Sequence, residues 1–277
     1  MYIGCFLLVR RQKGCSKKAS LFFMGKMKVR DLISILDEIA PFETAQDWDN
    51  VGLMLGDPGR EFSKLLVALD PCFEVISRAQ EIGADCIVTH HPLFFQPIRN
   101  LNFEHATAQK VCLLMKSDIC VICMHTNLDA ARGGVADVLA SRLGLHEIED
   151  CGLMRTGTLP EKTALSRWAF SLPFENIRIV DAKRMVRRVG LCPGSGMDLW
   201  EDARARGCDT FVTGDVKYHD AMDAREAGLN VIDLGHFGAE NIIVKPLVTK
   251  IQQQMPGVCI QAYEGRDVFT YTKERED

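Results

Sequence analysis

Four of the seven histidines in this chain fall in three short clusters that between them supply imidazole and carboxylate. They are Thr89-His90-His91-Pro92, His125-Thr126-Asn127-Leu128-Asp129 and Gly235-His236-Phe237-Gly238-Ala239-Glu240. Neutral imidazole and carboxylate are the ligand types that suit borderline divalent cations. Ligand-capable residues concentrated in this way point to metal chemistry at one shared site.

Each cluster also has a plainer reading. Consecutive side chains on a regular strand face opposite ways. His90 and His91 therefore reach one site only where the strand breaks, and Pro92 enforces a break. They serve one cation or two, or form a hydrogen-bonded pair in a turn. Asp129, four residues after His125, either bridges two cations or caps the helix expected after Gly133. His125 is a candidate ligand, ligand-orienting donor or proton shuttle. His236 and Glu240 share a face if both lie in one helix, as ligands or as a surface pair. In Thr213-Gly214-Asp215-Val216-Lys217-Tyr218-His219, Asp215 and His219 are candidate acid/base or ligand-orienting groups, with a helix cap as the alternative for Asp215. Gly194-Ser195-Gly196 joins a strand to a helix, and its amides could hold a phosphate or carboxylate. Its spacing matches neither the P-loop nor the dinucleotide fingerprint.

The elements that must position these residues follow from hydrophobic patterning. Val29 to Ile39 carries apolar residues at helical spacing and stops at Pro41. The continuous apolar runs Leu65–Leu69, Cys86–Thr89 and Ile119–Met124 read as strands buried on both faces. Helices expected over Phe73–Ile82 and Glu104–Lys116 alternate with them, the pattern of a parallel sheet flanked by helices. Ligands bind beyond the carboxyl ends of such strands, which is where His90-His91 and His125 to Asp129 fall.

A second α/β stretch follows. Strands are expected at Leu153–Leu159, Ile177–Asp181, Val186–Cys192 and Thr210–Thr213, and helices at Val135–Leu143, Thr163–Ser171, Met197–Arg206 and His219–Ala227. The strand Asn230–Leu234 delivers His236 and is expected to return to the first sheet, ahead of a helix over Ala239–Gln253 and a strand near Val258–Tyr263. The fold class is α/β, with residues 27–130 and 231–277 as the first lobe, 131–230 as a second lobe inserted in it, and the metal site in the cleft between them.

Bulk composition limits the function classes. The chain has 277 residues, 47% of them apolar and 25% charged, and a net charge of −4, values ordinary for a water-soluble globular protein. Residues 1–26 hold six of the 33 basic residues and no acid, leaving 27 basic against 37 acidic in the remainder. A body this acidic is a poor partner for nucleic acid. The basic leader is expected to be a disordered or non-native extension. Its apolar stretch is shorter than a membrane span, and its charges follow that stretch rather than precede it, unlike a signal peptide. Eleven scattered cysteines read as reduced thiols of a cytoplasmic protein. The Cys120–Cys123 spacing has no second pair beside it and sits in an expected strand.

Taken in order, Trp48-Asp49-Asn50-Val51-Gly52-Leu53, Thr89-His90-His91-Pro92-Leu93-Phe94-Phe95, His125-Thr126-Asn127-Leu128-Asp129, Thr213 to His219 and Gly235-His236 with Glu240 resemble the Nif-three-like dinuclear metal-centre proteins. Many of these carry the name GTP cyclohydrolase I type 2. The likeness runs from about Met27 to Thr272. It implies two α/β lobes, a metal pair in the cleft between them, and His90, His91, Asp129, His236 and Glu240 as the ligands. It also implies a ring-shaped homo-hexamer built as a trimer of dimers. The function expected is a metal-dependent hydrolase acting on a nucleotide or related small molecule through two divalent ions (zinc, iron, manganese or nickel), with His125, Asp215 or His219 moving protons. The alternative is a non-enzymatic metal-handling or regulatory interaction protein.

Overall fold

A computed structural model describes residues 27–271 of the chain. The basic leader expected at 1–26 lies outside the described residues.

In chain order the first elements are β1 (Met27–Lys28), α1 (Val29–Ile39), β2 (Gly52–Leu55), β3 (Glu61–Phe62), β4 (Lys64–Ala68), α2 (Phe73–Ile82), β5 (Cys86–Thr89), α3 (Ala106–Lys116) and β6 (Cys120–Cys123). The middle of the chain forms α4 (Thr126–Ala130), α5 (Val135–Arg142), β7 (His146–Cys151), β8 (Met154–Thr163), α6 (Leu165–Ser171), β9 (Arg178–Val180), β10 (Val186–Leu191), α7 (Trp200–Ala205), β11 (Thr210–Thr213) and α8 (Tyr218–Glu226). It closes with β12 (Asn230–Asp233), α9 (His236–Glu240), α10 (Val244–Gln254) and β13 (Cys259–Tyr263).

The first sheet has the order β13-β4-β5-β6-β2. Its first four strands are mutually parallel and β2 runs antiparallel at the edge. Helices cover both faces, which is why β4, β5 and β6 read as unbroken apolar runs. On one face, Leu32 and Leu36 of α1 and Leu247 and Ile251 of α10 pack on Leu65, Val67, Val88 and Ile122. On the other, Val75, Ile76 and Ala79 of α2 and Val111 and Leu114 of α3 pack on Leu66, Ile87 and Val121. Burying each of the larger side chains stabilises by roughly 1.5–3 kcal/mol. Two carboxylates in the first and last turns of α1 set its ends: Asp31 accepts the Lys28 backbone N–H at 2.7 Å, and Asp37 accepts that of Phe42 at 2.8 Å.

The second sheet has the order β7-β8-β10-β11-β12-β9. Here the structure corrects the sequence reading. The strand that delivers His236 does not return to the first sheet: β12 pairs parallel with β11, from Thr210 opposite Asn230 to Thr213 opposite Asp233, and antiparallel with β9. The physical reason is local, since a short α8 crossover places two consecutive parallel strands side by side. The side chain of Asn230 fixes the register by donating to the Arg184 carbonyl at 3.0 Å and to Thr210 Oγ1 at 3.2 Å. The chain rejoins the first sheet only after α9, through α10 and β13. The second lobe is thus inserted in the first, and it retains β12.

Two further differences matter. The edge strand β7 has no apolar alternation, because nearly all of it faces solvent. The expected helix from Ala239 is two helices, α9 and α10, separated by a single 3-10 turn at Asn241–Ile243. Glu240 therefore ends a short helix that His236 begins. The two lobes are knit together by α5, whose Val135 belongs to the first core and whose Ala136, Leu139 and Ala140 belong to the second.

Candidate metal centre

The carboxyl ends of β5 and β6 in one sheet and of β12 in the other point at the same space. At the end of β5 the backbone leaves the sheet while staying anchored to β4's end: the His91 N–H donates to the Leu69 carbonyl at 2.9 Å. Thr89 Oγ1 donates to the His91 carbonyl at 2.7 Å. This break lets adjacent histidines converge, with ring centroids 5.0 Å apart. At the end of β6, α4 starts immediately after His125, so one helical turn separates His125 from Asp129. At the end of β12, Gly235 takes a left-handed φ of 69°, a conformation that suits glycine, and turns the chain into α9. His236 and Glu240 then share one face of that helix.

Glu240 is the hub, only 3% exposed. Its Oε2 lies 2.9 Å from His91 Nε2, 3.0 Å from His236 Nε2 and 3.7 Å from His90 Nε2. Asp129 Oδ1 lies 3.5 Å from His90 Nε2. Two groups with ligand atoms within 4.8 Å of one another share Glu240: His91, His236 and Glu240, and His90, Asp129 and Glu240. A third group joins His90, His91 and His125. All five residues implied by the family resemblance are thus brought together, with His125 beside them.

Each imidazole is held by its other nitrogen. His90 Nδ1 donates to the Met124 carbonyl at 2.9 Å, His91 Nδ1 to Asp70 at 2.7 Å, His125 Nδ1 to Asp49 at 2.8 Å and His236 Nδ1 to Asp215 at 2.7 Å. Such partners fix the tautomer and direct Nε2 inward. Asp215 has a φ of 53°, a region non-glycine residues occupy uncommonly and one that clusters at functional sites. Asp49 and Asp70 did not emerge as orienting groups from the sequence. The only signal was position: Asp49 lies within the Trp48–Leu53 motif and Asp70 follows β4.

The electrostatics are those of a carboxylate-imidazole cage. Burial opposes a charge on His91, but its hydrogen bonds to the Asp70 and Glu240 carboxylates, and their charges, raise its pKa to about 10. His236 behaves alike: burial pulls down, Glu240 and Asp215 push up, and the result is about 9. Burial raises Asp129 to about 7, opposed by His90 and reinforced by the Glu240 charge. Glu240 is itself buried, but the surrounding imidazoles hold its carboxyl well below the ordinary range.

The donor set fits a cation. Among the described residues, His90 Nε2 and Asp129 Oδ1 are buried with no hydrogen-bond partner, although buried polar groups are normally paired. Both face the same small volume as Glu240 and His91, the arrangement expected where a positive ion completes the pairing.

One expected site residue falls elsewhere. His219 is exposed on the first turn of α8, and the ring contact found for it is with Tyr218 at 5.4 Å. The turn at Asp215 aims that carboxylate at His236 while the start of α8 carries His219 outward. In the Gly194–Gly196 segment one of the amides offered for anion binding is engaged within the chain. The Gly196 N–H donates to Thr213 Oγ1 at 2.9 Å, and the Gly194 carbonyl accepts from the Gly214 N–H at 2.7 Å. A Cβ on Gly194 would lie 2.1 Å from Glu240 Oε1, so this glycine makes room for the hub carboxylate. Ser195 is exposed and lines the cavity.

That cavity, about 1510 Å³, opens the cluster to solvent. Its walls come from both lobes and include His91, His125, Asp129, His236 and Glu240. Its rim carries Trp48 and Phe95 on the first lobe and residues 264–269, which follow β13.

A two-lobed α/β protein with a histidine-carboxylate cluster between its sheets is the class these features define. Residues 27–265 match the model of the family described as Duf34/NIF3 (NGG1p interacting factor 3), and the chain belongs to that family. It is 33% identical over 261 residues to a Clostridium perfringens protein named GTP cyclohydrolase 1 type 2 homolog, covering 88% of this chain and all of that one. It is 32% identical over 214 residues to a Helicobacter pylori protein named GTP cyclohydrolase 1 type 2, covering 76% and 86%. Among solved structures, it superposes on Staphylococcus aureus SA1388 with a TM-score of 0.83 at 29% identity, covering 90% of this chain and all of that one. Reduced HcgD from Methanocaldococcus jannaschii gives 0.77 at 30% identity, covering 86% and 98%.

Proposed function

We propose that this protein is a metal-dependent hydrolase that holds two divalent cations, one at His90, Asp129 and Glu240 and the other at His91, His236 and Glu240, and acts on a nucleotide or related small molecule. The observation that carries the reading is the position of Glu240, whose one carboxyl group is within reach of both ligand groups. The substrate class rests on the names of the Clostridium and Helicobacter relatives. Zinc, iron, manganese and nickel all suit the mixed nitrogen and oxygen set.

A cation pair bound here would supply Lewis acidity toward water and toward a substrate oxygen. The chain's own residues do the rest. Asp70, Asp215 and the Met124 carbonyl keep three Nε2 atoms aimed inward. His125, held by Asp49, keeps its Nε2 toward His90 and His91 and is placed to hold or pass a proton. The cavity admits substrate from the side of Trp48 and Phe95. A site open to a cavity of this size favours turnover over mere storage, since structural metal sites are closed.

The test combines metal analysis with an assay. Purified protein is expected to hold close to two metal equivalents and to release formate from GTP or phosphate from small phosphoesters. His91→Ala is expected to lose one equivalent and the turnover. Turnover in His91→Ala equal to that of the unmodified protein refutes the reading.

A further inference from the structure

Two large aromatic rings stand exposed beside the cluster. Trp48 is 60% exposed and Phe95 46% exposed, and both line the cavity. Their centroids lie 6.5 Å apart with the planes tilted by 36°. Each packs edgewise on His125, at 6.0 Å for Trp48 and 5.5 Å for Phe95. Trp48 comes from the loop before β2 and Phe95 from the loop after the paired histidines. The Asn50 side chain ties the loops together by donating to the Phe94 carbonyl at 2.8 Å. The aromatic shelf is therefore built in place on the same His125 that joins the cluster.

The remaining walls give a contrast. The lining carries eight carboxylates against three Lys or Arg side chains. Of those three, Arg178 is already committed to Asp233 and to the Val216 carbonyl. Walls so acidic offer little grip to an anionic tail. Of the aromatic rings in the lining, Trp48 and Phe95 are those found packed on a cluster histidine, and aromatic faces of this kind bind flat rings by stacking with little regard to ring identity.

We infer that Trp48 and Phe95 form a subsite for a planar heteroaromatic ring, which they stack against the cluster at His125. This deepens the reading of the cavity as a substrate site and rests on it: the protein recognises its small molecule by the ring, with any phosphate left to the cation site. The same shelf would take a purine, a pterin or a pyridine ring.

The experiment is calorimetric titration of the metal-loaded protein with guanosine 5′-monophosphate, with 6-methylpterin and, as the ring-free control, with ribose 5-phosphate. Metal content and oligomeric state are measured on every sample. At least one ring compound is expected to bind more tightly than ribose 5-phosphate. Trp48→Ala and Phe95→Ala are each expected to weaken that binding by about 10-fold or more, with metal content unchanged and Trp48→Phe recovering most of the affinity. Unchanged affinity in both alanine variants overturns the proposal. So does a wild type that binds no ring compound, or a change in oligomeric state in the alanine variants with ring binding intact, which would make the shelf a subunit contact. Failure of the metal-site reading registers separately, as wild-type protein that takes up no metal.

Discussion

At the scale of single residues, the cluster is a set of nitrogens aimed by their neighbours. Asp215→Asn keeps the volume but weakens the acceptor that fixes His236, and loss of such a partner costs about 10–100-fold in metal affinity. Competition with a chromogenic chelator measures it, with little change expected in melting temperature. The imidazole charges give a pH signature. Without metal, His91 and His236 carry pKa values of about 10 and 9 in the folded protein, against an ordinary 6.5. A raised folded-state pKa contributes stability that is complete below about pH 6.5 and is lost as pH rises through 9 to 10. Chelator-treated protein should therefore melt at lower temperature as pH is raised from 6.5 to 10. Cation binding must displace those protons, so metal affinity should rise over the same range. Melting curves with chelator and with added zinc check both signs. The residue types were legible in the sequence because a paired histidine and two His-to-carboxylate steps of four, at 125/129 and 236/240, are uncommon together by chance. Asp49 and Asp70 were not, since a lone aspartate in a loop carries no sign of what it will face.

At the scale of elements, the site depends on how strands end. Gly194→Ala would bring a methyl group onto Glu240 Oε1, at a left-handed φ of 61° that also disfavours alanine. Metal affinity is expected to fall by about 10-fold or more, while circular dichroism stays that of the folded chain. Buried strands were readable because helices on both faces leave continuous apolar residues through β4, β5 and β6, broken only by Lys64 and Thr89 at strand ends. Strand β7 was invisible for the opposite reason, as its residues face solvent. The sheet to which β12 belongs was not readable either. The apolar residues Val231, Ile232 and Leu234 say that the segment is buried but not against which neighbour, and pairing with β11 is set by the length of the α8 crossover. The correction matters, because it draws the site's ligands from the strand ends of two different sheets. The break between α9 and α10 was hidden by continuous helical spacing, and it puts His236 and Glu240 on one short helix of their own.

At the scale of the whole molecule, the two lobes must hold their spacing for the cluster to exist. Arg155 of β8 is one anchor at the junction, through its bond to the Ala130 carbonyl. It is 1% exposed and donates to Asp137 at 2.6 Å, to Asp150 at 2.9 Å and to the Ala130 carbonyl at 2.7 Å, one residue beyond Asp129. Hydrogen bonds to a charged group each contribute about 1.5–3 kcal/mol, so Arg155→Met should destabilise the fold by an amount of that order, read as a lower urea midpoint. No helix among the described residues is long and apolar enough to cross a membrane. The hexameric ring remains a proposal that sedimentation of the purified protein would decide. The most direct measurement of the central claim is a crystal structure of metal-replete protein with anomalous scattering. The account predicts two anomalous peaks, one against His90, Asp129 and Glu240 and the other against His91, His236 and Glu240. Metal-saturated crystals without density between those side chains, or with peaks only elsewhere on the chain, would contradict it.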